Sequence, residues 1–288
     1  MFSALKIYIM KTILVPVDFS ATAANAAEFS GNLAIFYNAD LWFYHSYEPP
    51  VFVTGNTLSR GDSKQQIEME HQMQAFKKEI QSKLRFSITI HTKIAMASLH
   101  EGLEGFCKET TPDIVVMGIS GKSGLAKLVS GSNTLKVVHH LKYPVLVIPP
   151  KTVFMPVHKI GFACNYDKVL YSSSIDILEK VVKDFNAELC VIDVHSHYKK
   201  YNQEEILEGM FVNELLKKIS PEYHTIDAED ITEELIHLPM KLILTGSRQY
   251  LKIITQAINY SSIAIPKTYC TTRMYLCCVC MDKFIYNN

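Results

Sequence analysis

Residues 113–134 read DIVVMGISGKSGLAKLVSGSNT, and this stretch decides the fold class. The first six residues are an apolar, β-rich run ending in Gly118. Three further glycines follow at 121, 124 and 131. GKS at 121–123 is the tail of a P-loop, but that loop needs a glycine five positions before its GK, and Val116 stands there. The pattern that remains is Gly118, two residues, Gly121, nine residues, then Gly131-Ser132. It sits directly behind a buried-strand pattern, where open α/β sheets bind ligands. Gly118 leaves the strand where a side chain would crowd a ligand. Gly121 and Gly124 let backbone N–H groups approach an anion in a nest. Gly131-Ser132 can bring a second pair of donors to the same charge.

Outward from this stretch, strand and helix patterns alternate. KTILVPVD (11–18) is a short apolar strand run, and Ser20 is placed to cap the Ala-rich helix of 21–38. DLWFYHSY (40–47) is the next strand, and EPPVFVTGNTLSRGDS (48–63) reads as a long loop. Met69, Met73, Phe76, Ile80 and Leu84 recur at spacings of three and four, which predicts an amphipathic helix over 64–84. A strand over 86–95, a helix over 98–110, the strand of 113–118, a mostly helical 125–141 and the strand PVLVIP (144–149) complete a five-stranded open parallel sheet flanked by helices, Rossmann-like in outline. In this set His45 reads as a core histidine.

The pattern then starts again. KIGFACNYD (159–167) parallels TILVPVDFS (12–20), NAELCVIDVHSH (186–197) parallels NADLWFYHSY (38–47), and PMKLILTG (239–246) parallels PDIVVMG (112–118). SSIAIP (261–266) parallels YPVLVIP (143–149). The offsets shrink from 147 to 117, so the second α/β copy is the shorter. The expected division is a domain over 1–150 and a degenerate copy over 151–288, joined through PPKTVFMPVH (149–158). In the second copy Asn165 replaces Asp18, Gln249 stands where the second glycine belongs, and Asn259-Tyr260 replaces Gly-Ser. That copy is expected not to hold the ligand. The segment 267–288 has no counterpart and reads as an added strand, a docking tail or a divergent end.

The glycine spacing behind a strand ending in Met-Gly, the aspartate ending ILVPVD and the last strand PVLVIP together resemble the ATP-binding members of the universal stress protein family, within the wider adenine-nucleotide α-hydrolase-like superfamily. The resemblance covers residues 10–150 and, more weakly, 159–266. It implies one site for ATP with Mg²⁺. Pro16, Val17, Asp18 and the backbone near Leu41 would hold the adenine end, and Met117 and Gly118 would line the ribose. Ser120, Gly121, Lys122, Ser123, Gly124, Gly131, Ser132 and Asn133 would meet the phosphates. It also implies that the two copies pair through their last strands as an intramolecular pseudo-dimer, and it leaves a homodimer open. The implied role is ATP-linked stress response or signalling. The alternatives are a nucleotide-cleaving enzyme of the same superfamily and a non-binding interaction module.

Bulk properties restrict the rest. Lys plus Arg equals Asp plus Glu at 29 each, so no overall field recruits nucleic acid. No run of 18 apolar residues suggests a membrane span. Lys11 interrupts the N-terminal apolar run and Asp18 follows it, which argues against a signal peptide, and Met10 is an alternative start. The seven cysteines are odd in number and scattered, consistent with free thiols in the cytoplasm. Cys277 and Cys280 have C-x-x-C spacing but no second pair to complete a metal site. No catalytic constellation is visible, and at most slow ATP hydrolysis is expected, with Asp18 helping to hold Mg²⁺.

Overall fold

The computed structural model describes residues 10–48, 51–54, 57–60, 63–118, 137, 141–148, 150–155, 157–164, 172–195, 203–227, 242–245 and 275–278. These fall into two compact units, with the division between Phe154 and Met155.

The first unit is built on β1 (Thr12–Pro16), β2 (Asp40–Tyr47), β5 (Ile90–Met96), β6 (Ile114–Gly118) and β7 (Val145–Ile148). They form a parallel sheet in the order β7-β6-β1-β2-β5. Ile13, Leu14, Val15, Val115 and Val116 are wholly excluded from solvent. β1, β6 and β7 are near-continuous apolar runs, without alternation, as strands buried on both faces of such a sheet are. The described residues of this unit include three helices, α1 (Ala21–Tyr37), α2 (Ser63–Lys83) and α3 (Leu99–Thr110). Ser20 caps α1 as expected, its hydroxyl accepting the Ala23 N–H at 3.2 Å. Ser98 caps α3: its hydroxyl accepts the Glu101 N–H at 3.3 Å and donates to Glu101 Oε2 at 3.1 Å. On α2 the periodic residues Met73, Phe76 and Ile80 are buried, as their spacing requires.

One expectation in this half is overturned. The segment 48–63 is not a plain loop. It contains an antiparallel pair, β3 (Val51–Thr54) and β4 (Thr57–Arg60), in register Thr54↔Thr57. Two β-capable runs separated only by Gly55-Asn56 are a hairpin signal, outweighed in the sequence pattern by the surrounding Pro, Gly and Ser.

The second unit contains β8 (Lys159–Cys164), α4 (Ser172–Phe185), β9 (Glu188–His195), α5 (Gln203–Leu216), β10 (Glu222–Asp227), β11 (Leu242–Thr245) and β12 (Tyr275–Cys278). β9 lies between β8 and β10, and β11 joins β8 on its other side, all parallel. β12 runs antiparallel to β11, in register Leu242↔Cys278. This corrects the expectation of a second wholly parallel five-stranded sheet. Part of the 267–288 segment is an added strand of opposite direction, and β10 forms in a stretch that the internal repeat left unassigned. The expected strand at 261–266, the helix at 125–141 (apart from Val137 and Leu141), and the substituted positions Asn165, Gln249 and Asn259-Tyr260 lie outside the described residues.

Candidate functional site

The strand order places β1 with β2 on one side and β6 on the other. Chain direction around the sheet reverses between β1 and β6, the switch point where open α/β sheets leave a crevice at the carboxyl ends. The two ends of this strand pair are built differently. At the amino end Asp113 holds them together. Its Oδ2 accepts the backbone N–H of Lys11 at 2.7 Å and of Thr12 at 3.0 Å, and its own N–H donates to the Thr12 carbonyl at 3.0 Å. At the carboxyl end the ladder stops early. The β1–β2 pairing continues to Pro16↔Tyr44, but the β1–β6 pairing ends at Leu14↔Val115. The next rung would need an N–H from residue 16 toward the Val116 carbonyl, and proline has none. Pro16 thus ends the β1–β6 ladder at Leu14↔Val115, at the carboxyl end of the strand pair, where folds of this order open a ligand crevice.

Around that point the structure brings together five of the six described candidates. Pro16, Val17 and Met117 are buried, Gly118 is half-buried and Asp18 is exposed. Asp18 accepts the Ser20 N–H on Oδ1 at 3.1 Å. Between them Phe19 adopts φ 59°, a left-handed conformation that costs a bulky residue strain and turns the chain sharply from β1 into α1. Phe19 is held there by ring contacts, 4.5 Å from His45 and 5.8 Å from Phe76. His45 in turn donates from Nδ1 to the Val17 carbonyl at 2.7 Å; a carbonyl only accepts, so Nδ1 carries the proton. His45 is half-buried at the carboxyl end of β2 and belongs to the site's wall as well as to the core.

Leu41 is the sixth candidate, and it is not brought to this place. It lies at the amino end of β2, opposite Ile13 and Ile90, with no solvent exposure. Its N–H is directed to the Thr89 carbonyl. The β2 residues at the level of the crevice are Tyr44 and His45. The period of a strand fixes which face a residue takes but not which end of the sheet is the ligand end, so the sequence pattern had no means to separate Leu41 from His45.

Gly118 is where expected, but what requires a glycine there is helix packing. Its backbone conformation is open to any residue, yet a Cβ there would lie 2.8 Å from Thr22 Cγ2 and 2.9 Å from the Thr22 carbonyl carbon, and closer still to that carbonyl's oxygen. The glycine admits the first turn of α1 against the end of β6. That close approach sets the α1 amino end, with its exposed partial positive charge, beside the crevice. Ser120, Gly121, Lys122, Ser123, Gly124, Gly131, Ser132 and Asn133 lie outside the described residues.

Behind the site, Tyr44 stacks on Phe106 at 5.3 Å with its hydroxyl fully buried and unpartnered. Burial pushes its pKa up to about 12, with Cys107 adding to the rise; Ser46 pulls the other way without reaching hydrogen-bond geometry. Cys107 and Cys190 are buried free thiols, pushed up to about 12 and about 11, in each case chiefly by burial. Neither is poised to act as a nucleophile. Among the described residues no three His, Cys, Asp or Glu side chains form a metal-ligand group, and no helix is long and apolar enough to cross a membrane.

Comparison with known proteins agrees with this geometry. The universal stress protein family model matches residues 10–149. A curated universal stress protein of Methanocaldococcus jannaschii is 26% identical over 138 residues, 48% of this chain and 81% of that protein. The crystal structure of a universal stress protein from Archaeoglobus fulgidus covers 93% of this chain and 95% of its own at TM-score 0.58 and 17% identity, a likeness of fold. A universal stress protein solved in complex with cAMP is 20% identical over half of this chain, at TM-score 0.40. The residues that match the universal stress protein family model, 10–149, are the ones that form the parallel five-stranded sheet of the first unit.

Proposed function

We propose that the first unit binds ATP with Mg²⁺ in the crevice between the carboxyl ends of β1 and β6, and that the protein acts through this binding in stress response or signalling in the cytoplasm. The observation that carries the reading is the ladder broken at Pro16. Beside that break lie the buried Pro16 and Val17, the exposed Asp18 carboxylate and the buried Met117, directly before the glycine pattern of 118–132. These residues suit the ligand chemically. The apolar side chains can take an aromatic base, Asp18 can accept from its exocyclic or ribose donors, and closely approaching amides of a glycine-rich loop can take the phosphates. Tyr44 and His45 replace Leu41 as the β2 contribution. The second copy, which lacks Asp18 and the later glycines, acts as a structural partner and binds no nucleotide.

Titration calorimetry of the full chain with ATP and Mg²⁺ tests this. One ATP per chain is expected, and Gly121→Val should abolish the heat while leaving ligand-free thermal stability nearly unchanged. Absence of heat at millimolar ATP would overturn the reading, and two sites per chain would overturn the assignment of the second copy. Turnover well above ~0.02 per second would move the protein to the enzyme class.

A further inference from the structure

Behind β7 the chain lies along α1 before it enters the second unit. It turns at Pro150 and Lys151, and Lys151 takes φ 64°, a left-handed conformation that costs any residue with a side chain. Thr152 is 5% exposed, and its carbonyl accepts from Asn25 Nδ2 at 3.4 Å. The Phe154 ring meets Phe29 edge-on at 5.4 Å and Phe36 at 5.9 Å. At 3.6 residues per turn, Asn25, Phe29 and Phe36 form one stripe of α1 about 40° wide. Phe154 closes the first unit and Met155 begins the second. Residues 151–154 are thus a strap, fastened to one side of α1 where the chain changes units.

The same helix reaches the candidate site. Asp18 and the Ser20 cap lead into its first turn, and Thr22 is the residue against which Gly118 packs at the end of β6. Residues three apart on a helix are neighbours, so the Thr22 contact and the Asn25 bond bear on adjoining parts of α1. An anion at the amino end of α1 gains from the helix charge only while that end keeps its place. The strap holds the helix in the same place from the side. Two contacts that fix one helix reinforce each other, because the first to form meets part of the ordering cost of the second. The strap is also lightly held. The Asn25 bond is at the long end of the range, Val153 is 61% exposed and Phe154 is half-buried, so residues 151–154 can lift while the sheet stays folded.

We infer that the linker is a nucleotide-sensing strap: ATP bound at the carboxyl ends of β1 and β6 fastens residues 151–154 onto α1, and a loosened strap weakens ATP binding in return. The inference rests on the nucleotide reading above. Trypsin cleavage of the full chain after the exposed Lys151, followed by mass spectrometry, tests it beside calorimetry with ATP and Mg²⁺. Cleavage through transient lifting follows the population of the lifted strap. Saturating ATP should slow it at least roughly fivefold, and Phe154→Ala should weaken ATP binding by a comparable factor, since such coupling is reciprocal. Val153→Ala, which alters an exposed side chain, should leave ATP affinity unchanged. Trp42 fluorescence confirms that each variant is folded. A merely structural Phe154 would lower Tm without moving ATP affinity, and that result in a folded Phe154→Ala chain would overturn the inference. Cleavage indifferent to ATP in a chain that gives binding heat would also overturn it. The nucleotide reading would survive both results, whereas absence of heat would overturn that reading and this inference together.

Discussion

Replacing Gly118 by alanine is a test of why that glycine is there. The added Cβ would sit 2.8 Å from Thr22 Cγ2 and 2.9 Å from the Thr22 carbonyl carbon, where carbon contacts normally begin near ~3.5 Å. The first turn of α1 must retreat by roughly 0.6–1 Å, since the obstacle includes backbone that cannot rotate away. A gap of that size forfeits about a quarter to a half of each contact's attraction. The helix has little slack, because Ala23, Ala26 and Ala27 are buried in the same interface. Overpacking of this kind costs ~1–3 kcal/mol. The stiffer unfolded chain returns ~0.5 kcal/mol, so the net loss is about 0.5–2.5 kcal/mol, or roughly 2–8 °C in Tm. Gly105 is the control: it lies exposed on α3 with nothing near its missing Cβ, so Gly105→Ala should stabilise by ~0.5–1 kcal/mol. The chain's single tryptophan, Trp42, is on β2 and stacks on His91 at 4.5 Å, so its fluorescence during urea unfolding reports the first unit. Equal shifts for the two variants without ligand would refute the close-approach argument and return Gly118 to a purely ligand-clearing role.

Other outcomes follow from the same contacts. Gly102 lies against the buried Tyr44 hydroxyl: a Cβ at this position would fall 3.5 Å from Tyr44 Cζ and closer to the hydroxyl oxygen. Gly102→Ala should therefore cost ~1–3 kcal/mol beside tyrosine and less beside Tyr44→Phe, a coupling measurable in a double-mutant cycle by urea unfolding. Tyr44→Phe alone should be neutral or stabilising by up to ~1 kcal/mol, because it removes an unpartnered buried hydroxyl. Asp113→Ala should cost ~1–3 kcal/mol in the same assay, since the β1 amides of Lys11 and Thr12 lose a charged acceptor. Cys107 and Cys190 should resist alkylation in the folded chain at pH 8 and react once it is unfolded. Their folded pKa values lie above the ordinary 9.0, so between about 9 and about 12 the native state holds protons that the unfolded state has released. Stability contributed by these thiols is therefore present below pH 9 and is lost as pH rises through that window, which alkaline denaturation would record.

Local patterns were sufficient wherever the decisive physics was local. Continuous apolar runs with Gly and Pro at their ends identify buried parallel strands, so β1, β2, β6 and β7 were legible almost to the residue. Ser20 announced the start of α1, and the three-and-four spacing of Met73, Phe76 and Ile80 announced the buried face of α2. The glycine spacing from 118 to 132 and the Asp18 strand end carried the family resemblance. The hairpin of 51–60 was missed because breakers around it masked its two short runs. The antiparallel β12 was left open because strand direction depends on which neighbour supplies the hydrogen bonds, and that neighbour is some thirty residues away.

The sequence alone thus determined the α/β class and the position of the strands in the first unit. Only the tertiary structure decided that Leu41 lies at the amino end of the sheet, that His45 packs on Phe19 and bonds to Val17 at the carboxyl end, and that Gly118 answers to Thr22. It also decided that Asp113 closes one end of the β1–β6 pair while Pro16 ends the ladder at the other. Each of these depends on register and close approach between segments distant in the chain. Residue type sets what a side chain can do; the neighbours that folding brings to it set what it does.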